Sequence, residues 1–398
     1  MNLLFITPYL PSEISGHAGA QLIFRNIISL AKNHNIVLAS FIDTDEYGII
    51  ENLVFGGIKV HTIPYPRNQK SIIGKLLSGI RNVRPVIQYI KGNQPFFFAK
   101  YKSKKMAKLI LRLIEKNNFD VVQVEYNVMH HYTVQIGKIP KLIVFHDVST
   151  KVYERGNNQG NRMDQKSFEM ARNLEPEIGN NYDAVITLSE EDKDYLFNLG
   201  CKSKITVIPP QVKILTSGKI QKKPNSLCFL GSFNRQPNVN AVQILIQEIF
   251  PKLIEQAELN IVGKGLPKSL VNEIKGIERV NYLGFIEDID SFISSQLIMV
   301  APLKIGAGIK MKIPHALSCG TVVITTDVGA EGISVDKKNG LWEVTNILEM
   351  GVLINELLPQ LDLLIERGLK GKAVVRDLFS EEKIVSQFES LYSNLRNQ

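Results

Sequence analysis

Glycines and cations converge in the stretch "APLKIGAGIKMKIPHALSCGTVVITTDVGAEG", from Ala301 to Gly332. Gly306 and Gly308 let the backbone around Ala307 and Ile309 approach a ligand closely. Pro314 is tolerated in the first turn of a helix but not in its interior. The spacing therefore predicts a helix that starts near Lys312 or Ile313 and ends before Gly320. Its first turn directs free N–H groups and the positive end of the helix dipole at whatever the loop holds. Lys310 and Lys312 add two cations, and Arg235 in "FLGSFNRQPNVNAV" adds a third. A diphosphate is the ligand that such convergence explains best; surface lysines beside a turn are the alternative. No carboxylate occurs between Ala301 and Asp327, so this stretch brings cations and glycines without an acid or base of its own.

Further candidates stand where apolar runs end. Gly231 and Ser232 follow "SLCFL"; Gly263, Lys264 and Gly265 follow "LNIV". "VGKGLPKS" lacks the spacing of a P-loop. In "YLGFIED", Gly284 and the backbone of Phe285 and Ile286 suit the edge of a base, or form a plain strand exit. Near the N-terminus, Gly16 and Gly19 lie in a loop that enters a helix, where N–H groups can meet an anion or a sugar. His146 and Asp147 end the run "KLIVFHD", and Glu125 ends "VVQVEY"; a histidine there binds a hydroxyl or phosphate, or merely packs.

The elements that must position these residues alternate. "NLLFITP", "NIVLASFI", "IKVHTIP", "DVVQVEY", "KLIVFHD" and "DAVITLS" read as buried strands, with helical stretches such as Gln21–Lys32 and Ala99–Lys116 between them. The pattern pauses at "ITVIPPQVKILTSGKIQKKPNS" and restarts with "SLCFLGSF", "AELNIVGKG", "VNYLGF", "LIMVAPL" and "TVVITTD". This predicts an α/β chain of two doubly wound Rossmann-like domains, 1–212 and 213–379. A C-terminal helix in 380–398 is expected to pack back on the first. Ligands of open parallel sheets bind beyond the carboxyl ends of the strands, so the expected site is a cleft between two such domains.

Composition narrows the class. With 44% hydrophobic and 22% charged residues the chain reads as a globular protein, and no apolar run is long enough to span a bilayer. Cys201, Cys228 and Cys319 have no paired spacing, so neither a disulfide framework nor a metal site is expected, and a cytoplasmic compartment is. The net charge of +8 is uneven: between Arg67 and Lys116 stand thirteen Lys or Arg and a single acid, Glu115. Basic and apolar residues interleave there, next to Phe96, Phe97 and Phe98. That pattern predicts an anionic membrane surface as partner at 67–116, with nucleic acid as the competing and less favoured reading and a solvated face as the plain one.

Over nearly its whole length the chain resembles the retaining family-4 glycosyltransferases of the GT-B fold. The resemblance rests on "GHAGAQ", "HD" at 146–147, "ITLSEEDKDYL", "ITVIPP", "GSFNRQPNVNAV", "IVGKG", "YLGFIEDIDSFI" and, most specifically, the stretch from Pro302 to Gly332. It implies transfer of a sugar from a nucleotide-diphosphate sugar to a hydroxyl of a glycan or lipid-linked saccharide, with retention and without metal or cofactor. The first domain then binds the acceptor and the second the donor. By resemblance Arg235 and Lys312 hold the diphosphate, Phe285 and Ile286 contact the base, and His146 contacts the transferred sugar or acceptor. Such transfer is thought to need no enzyme base, because the departing diphosphate oxygen takes the acceptor proton.

Two departures stand out. The family's E-x7-E motif falls on Ala307 and His315, and an imidazole engages about one ribose hydroxyl where a carboxylate accepts from two. A weakened GT-B binding subunit or a nucleotide-sugar epimerase are the rival readings. The neighbouring cations Lys310, Lys312 and Arg235 predict a lowered pKa and a neutral ring for His315.

Overall fold

The computed structural model describes residues 1–15, 18–67, 72–158, 160–214, 221–306 and 308–397, with backbone alone over 72–78. Gly16 and Ala307, both singled out above, lie outside the described residues. The chain divides into two compact units, Met1–Gln211 with Ile384–Gln398, and Val212–Lys383.

The first unit holds seven strands: β1 (Asn2–Thr7), β2 (Asn35–Ile42), β3 (Lys59–Pro64), β4 (Val121–Glu125), β5 (Lys141–Phe145), β6 (Ala184–Thr187) and β7 (Ile205–Val207). They form one parallel sheet in the order β3-β2-β1-β4-β5-β6-β7. The second unit holds β8 (Ser226–Leu230), β9 (Glu258–Val262), β10 (Val280–Gly284), β11 (Ile298–Ala301), β12 (Val322–Thr326) and β13 (Leu341–Val344), in the order β10-β9-β8-β11-β12-β13. Each is a doubly wound Rossmann-like sheet. The strands β7 and β13 escape the sequence pattern because they are short edge strands without a continuous apolar run.

Parallel strands buried on both faces need apolar residues at both parities, and the first unit shows why. Leu4, Ile6, Val122, Val124, Ile143 and Phe145 build the core on one face. Leu3, Phe5, Val121, Leu142 and Val144 build the other, with Ile384, Phe388, Leu391, Tyr392 and Leu395 from the C-terminal helix Glu381–Arg396. Each of those helix side chains is worth about 1.5–3 kcal/mol when buried, enough to hold the helix to this unit. The expected helix over Ala99–Lys116 is instead two, Phe96–Lys100 and Lys104–Lys116. Ser103 restarts it, its hydroxyl accepting from the Met106 N–H at 3.3 Å.

Candidate functional site

In the second unit the strand order reverses between β8 and β11, the place where an open parallel sheet binds ligands. Gly231, Gly263, Phe285 and the loop of Gly306 and Gly308 follow the ends of β8, β9, β10 and β11. Gly263 has φ +141°, and a Cβ there would stand 1.7 Å from the Gly231 carbonyl oxygen, so only glycine lets these two loops touch. Ser232 and Arg235 are exposed just beyond β8, with Arg235 at the start of helix Gln236–Ile244.

The helix expected at Lys312 is present as Lys312–Ser318. It is short, so side chains rather than its dipole supply the charge. Lys312 is half-buried; its Nζ lies 4.4 Å from the Phe229 ring centroid and donates to Asn238 Oδ1 at 2.7 Å. Burial, followed by the charges of Arg235 and Lys310, pushes its ammonium down to about 7. Three cations therefore press on one another here. A bound anion would relieve that crowding and keep Lys312 charged.

Asn238 was not legible as a functional residue. Lysine can only donate, so the amide must turn Oδ1 to Lys312, and Nδ2 then donates to the Ser232 carbonyl at 2.8 Å. One side chain thus ties the loop after β8 to the cation from the β11 side. Carboxylates are also nearer than the stretch around Lys310 suggests. Lys310 Nζ donates to the Gly308 carbonyl at 2.5 Å and lies 3.3 Å from Glu331 Oε2. Lys264 sits 4.0 Å over the exposed Phe285 ring, while Ile286 packs against the core.

His315 is corrected by the structure. Its Nε2 lies 2.7 Å from Asp290 Oδ1, and Lys213 Nζ lies 3.0 Å from Asp290 Oδ2. Burial alone would lower the His315 pKa, but the hydrogen bonds with Asp290 and Cys319 outweigh it and raise it to about 9. The ring is an imidazolium at neutral pH, not the neutral ring expected from the three cations. Asp290 is in turn held well below the usual carboxylate range, first by His315 and then by Lys213. Asp290, His315 and Cys319 bring one oxygen, one nitrogen and one sulfur within 4.8 Å of one another. His315 Nε2 and Lys213 Nζ each meet one Asp290 oxygen, so in this structure the arrangement is an ion pair.

In the first unit the order reverses between β1 and β4. There Glu125, last in β4, and His146, just past β5, are both buried and meet at 2.7 Å between Oε2 and Nε2. Tyr126 has φ +71°, a costly conformation for a residue with a side chain, and its ring stacks on His146 at 3.8 Å and 2°. Gly19 makes room for it: a Cβ there would lie 1.6 Å from the Tyr126 hydroxyl. The loop after His146 is pinned by buried Glu175, which accepts from the N–H groups of Ser149 and Thr150, each at 2.8 Å. Asp147 in that loop is exposed. The structure thus gathers Gly19, Glu125 and His146 in one unit, and Gly231, Arg235, Gly306, Lys310 and Lys312 in the other.

Models of two families match the chain. "Glycosyltransferase Family 4" covers residues 48–214, and "Glycosyl transferases group 1" covers residues 224–358. Compared with curated proteins by sequence, the chain matches none. Among solved structures, sucrose-phosphate synthase of Thermosynechococcus elongatus is similar with TM-score 0.73 and 16% identity, over 99% of both chains. HepE of Anabaena, solved in complex with UDP, gives TM-score 0.67 and 16% identity over 99% of this chain and 100% of that one. A variant of S. aureus TarM, in complex with fondaparinux, α-GlcNAc-glycerol and UDP, gives 0.67 and 15% over the full length of both. With a glycosyltransferase family model matching residues in each unit and the GT-B fold of these structures over its length, the chain is a GT-B glycosyltransferase.

Proposed function

We propose that this glycosyltransferase moves a sugar from a nucleoside-diphosphate sugar to a hydroxyl of a glycan or lipid-linked saccharide, with retention and without a metal. The observation that carries the reading is the cluster of Arg235, Lys310 and Lys312 at the strand reversal, with the Lys312 ammonium near 7. A diphosphate leaving group relieves that mutual repulsion, and it does so most when its charge is fullest, as the bond breaks. The bond from the anomeric carbon to the diphosphate oxygen breaks, and the acceptor oxygen bonds to that carbon. The acceptor proton passes to the departing oxygen. The exposed Phe285 ring meets the base, and His315 stands at the position of the missing glutamate. The first unit takes the acceptor, with His146 at the transferred group. That HepE and TarM structures hold UDP supports a nucleotide donor.

A panel of nucleoside diphosphates and their sugars, read by thermal stabilisation and diphosphate release, tests this. The expectation is selective stabilisation by one base, and a product whose anomeric configuration matches the donor's. Stabilisation by none of them would remove the diphosphate site.

The chain works at the inner face of a membrane, and helix Ile72–Ile90 carries that part of the reading. Ile80, Val83, Ile87 and Ile90 are exposed at helical spacing, with Val86 beside them and Phe97 nearby. Arg84 and Lys91 flank the stripe. By contrast, helix Lys104–Lys116 buries Met106, Ile110 and Leu113, so its lysines form an ordinary solvated face. Arg67 is met by Glu46 at 2.5 Å and Asp43 at 3.6 Å. Among the described residues no helix is long and apolar enough to cross a membrane, so the contact is peripheral. Vesicles of phosphatidylglycerol should bind the chain more tightly than phosphatidylcholine, and Ile87→Asp should weaken that binding severalfold. Equal binding to both lipids, or tighter binding to RNA, would exclude this surface as a lipid contact.

A further inference from the structure

The buried carboxylate of Glu125 has a second partner besides His146. Gln123 lies two residues earlier on β4, hence on the same face of the sheet, and its Nε2 reaches Glu125 Oε1 at 2.6 Å. The Gln123 amide in turn meets Tyr392, whose hydroxyl lies 2.5 Å from Oε1. Tyr392 is fully buried on the C-terminal helix, 269 residues further along the chain. The directions of these bonds follow from what each group can do. Gln123 donates its NH2 to Glu125 Oε1, and with the carboxylate as acceptor His146 gives its Nε2 proton to Oε2. The Gln123 carbonyl then faces Tyr392, which must donate. Removing any donor leaves a buried acceptor unpaired, which is costly.

We propose that Tyr392 and Gln123 are positioning residues for His146. Through Glu125 they fix the imidazole with its proton on Nε2 and leave Nδ1 as the atom offered to the bound sugar or acceptor. The role at substrate rests on the transferase reading above; the relay itself does not. Without Tyr392 the amide is free to turn, Glu125 loses part of its hydrogen bonding, and its charge falls more heavily on His146. The C-terminal helix thereby sets the protonation of a residue far away in sequence.

The groups facing this chain of bonds are few. Tyr126 stacks on His146, and Tyr9 meets Tyr126 edge-on at 5.2 Å, with burial first and then Tyr126 and Asp147 keeping its hydroxyl protonated. His34 stands edge-on to Tyr392 at 6.2 Å and pairs with Glu389 at 3.3 Å, so its resonance must be followed separately.

Nitrogen-15 NMR of the full-length chain, with His146 assigned by its loss in His146→Gln, reads the relay without any donor sugar. In the wild type the neutral ring should show a protonated Nε2 and a bare Nδ1. The His146 pKa should rise by about one unit in Gln123→Leu and by less in Tyr392→Phe, because each removes support from the carboxylate. Glu125→Gln should lower it. Tyr392→Phe removes only a hydroxyl, and a melting curve shows that the fold survives. If both Gln123→Leu and Tyr392→Phe keep the wild-type titration, Tyr392 merely packs the helix and the relay is overturned. A shifted titration in a chain that binds no nucleotide would sink the transferase reading and leave the relay standing.

Discussion

The two units share one topology and place their candidate residues at the same point of it, yet they treat charge in opposite ways. In the first unit the strand reversal between β1 and β4 holds a carboxylate and an imidazole that satisfy each other at 2.7 Å, buried and stacked under Tyr126. In the second, the reversal between β8 and β11 holds like charges that repel, with one ammonium pushed to about 7. A satisfied pair is built to stay in one geometry. A cluster with more cations than its one carboxylate, Glu331, offsets is suited to receive an anion. The difference teaches that the fold fixes where a site lies, while the side chains at the strand ends decide whether it orients or binds.

The largest effect should come from emptying the cationic cluster. Lys312→Ala and Arg235→Ala each remove a charge-assisted contact of roughly 1.5–3 kcal/mol, so turnover should fall about ten- to a hundredfold with circular dichroism unchanged. Wild-type turnover in both variants would erase the contrast between the units.

Next comes pH. Bound diphosphate favours the charged form of Lys312, so its pKa rises on binding and a proton is taken up whenever the pH exceeds about 7. Affinity for a nucleoside diphosphate should therefore fall with rising pH from about 7 to 9, by up to about tenfold per unit. Calorimetry in buffers of different ionisation heat measures the proton directly. Affinity that is flat across this range would mean that Lys312 does not face the ligand.

The smallest of the three effects concerns His315. Its folded pKa of about 9 lies above the ordinary value of 6.5. Its contribution to stability is thus whole below about 6.5, declines between, and is gone above about 9. His315→Glu sets a second carboxylate against Asp290 and should cost about 1–2 kcal/mol of stability at pH 7. A gain in nucleotide affinity without loss of stability would show that the ion pair is dispensable.

Much of this was open to reading in the chain itself. Apolar runs at both parities announced two parallel sheets, because strands covered on both faces cannot afford polar residues at either. The same rule makes Gln123 and Glu125 in "VVQVE" conspicuous, since two polar side chains in a central strand demand buried partners. The partner of Glu125 was a candidate at once; the partner of Gln123 was not, because nothing near it in sequence points to Tyr392. Asp290 was missed for a similar reason. It sits in a helix first turn, where an acid has a sufficient local explanation.

What the sequence by itself determined is the alternation of elements, the glycine and lysine spacing after β11, and the apolar helical spacing of the C-terminal segment. These are local or periodic properties, fixed by backbone sterics and by which residues water rejects. What only the tertiary structure decided is the state of charge at each site. His315 is a cation because Asp290 lies 2.7 Å away, and Lys312 is half-discharged because burial and two other cations surround it. Electrostatic energy depends on distance and on the exclusion of water, and neither is written in the order of residues along the chain.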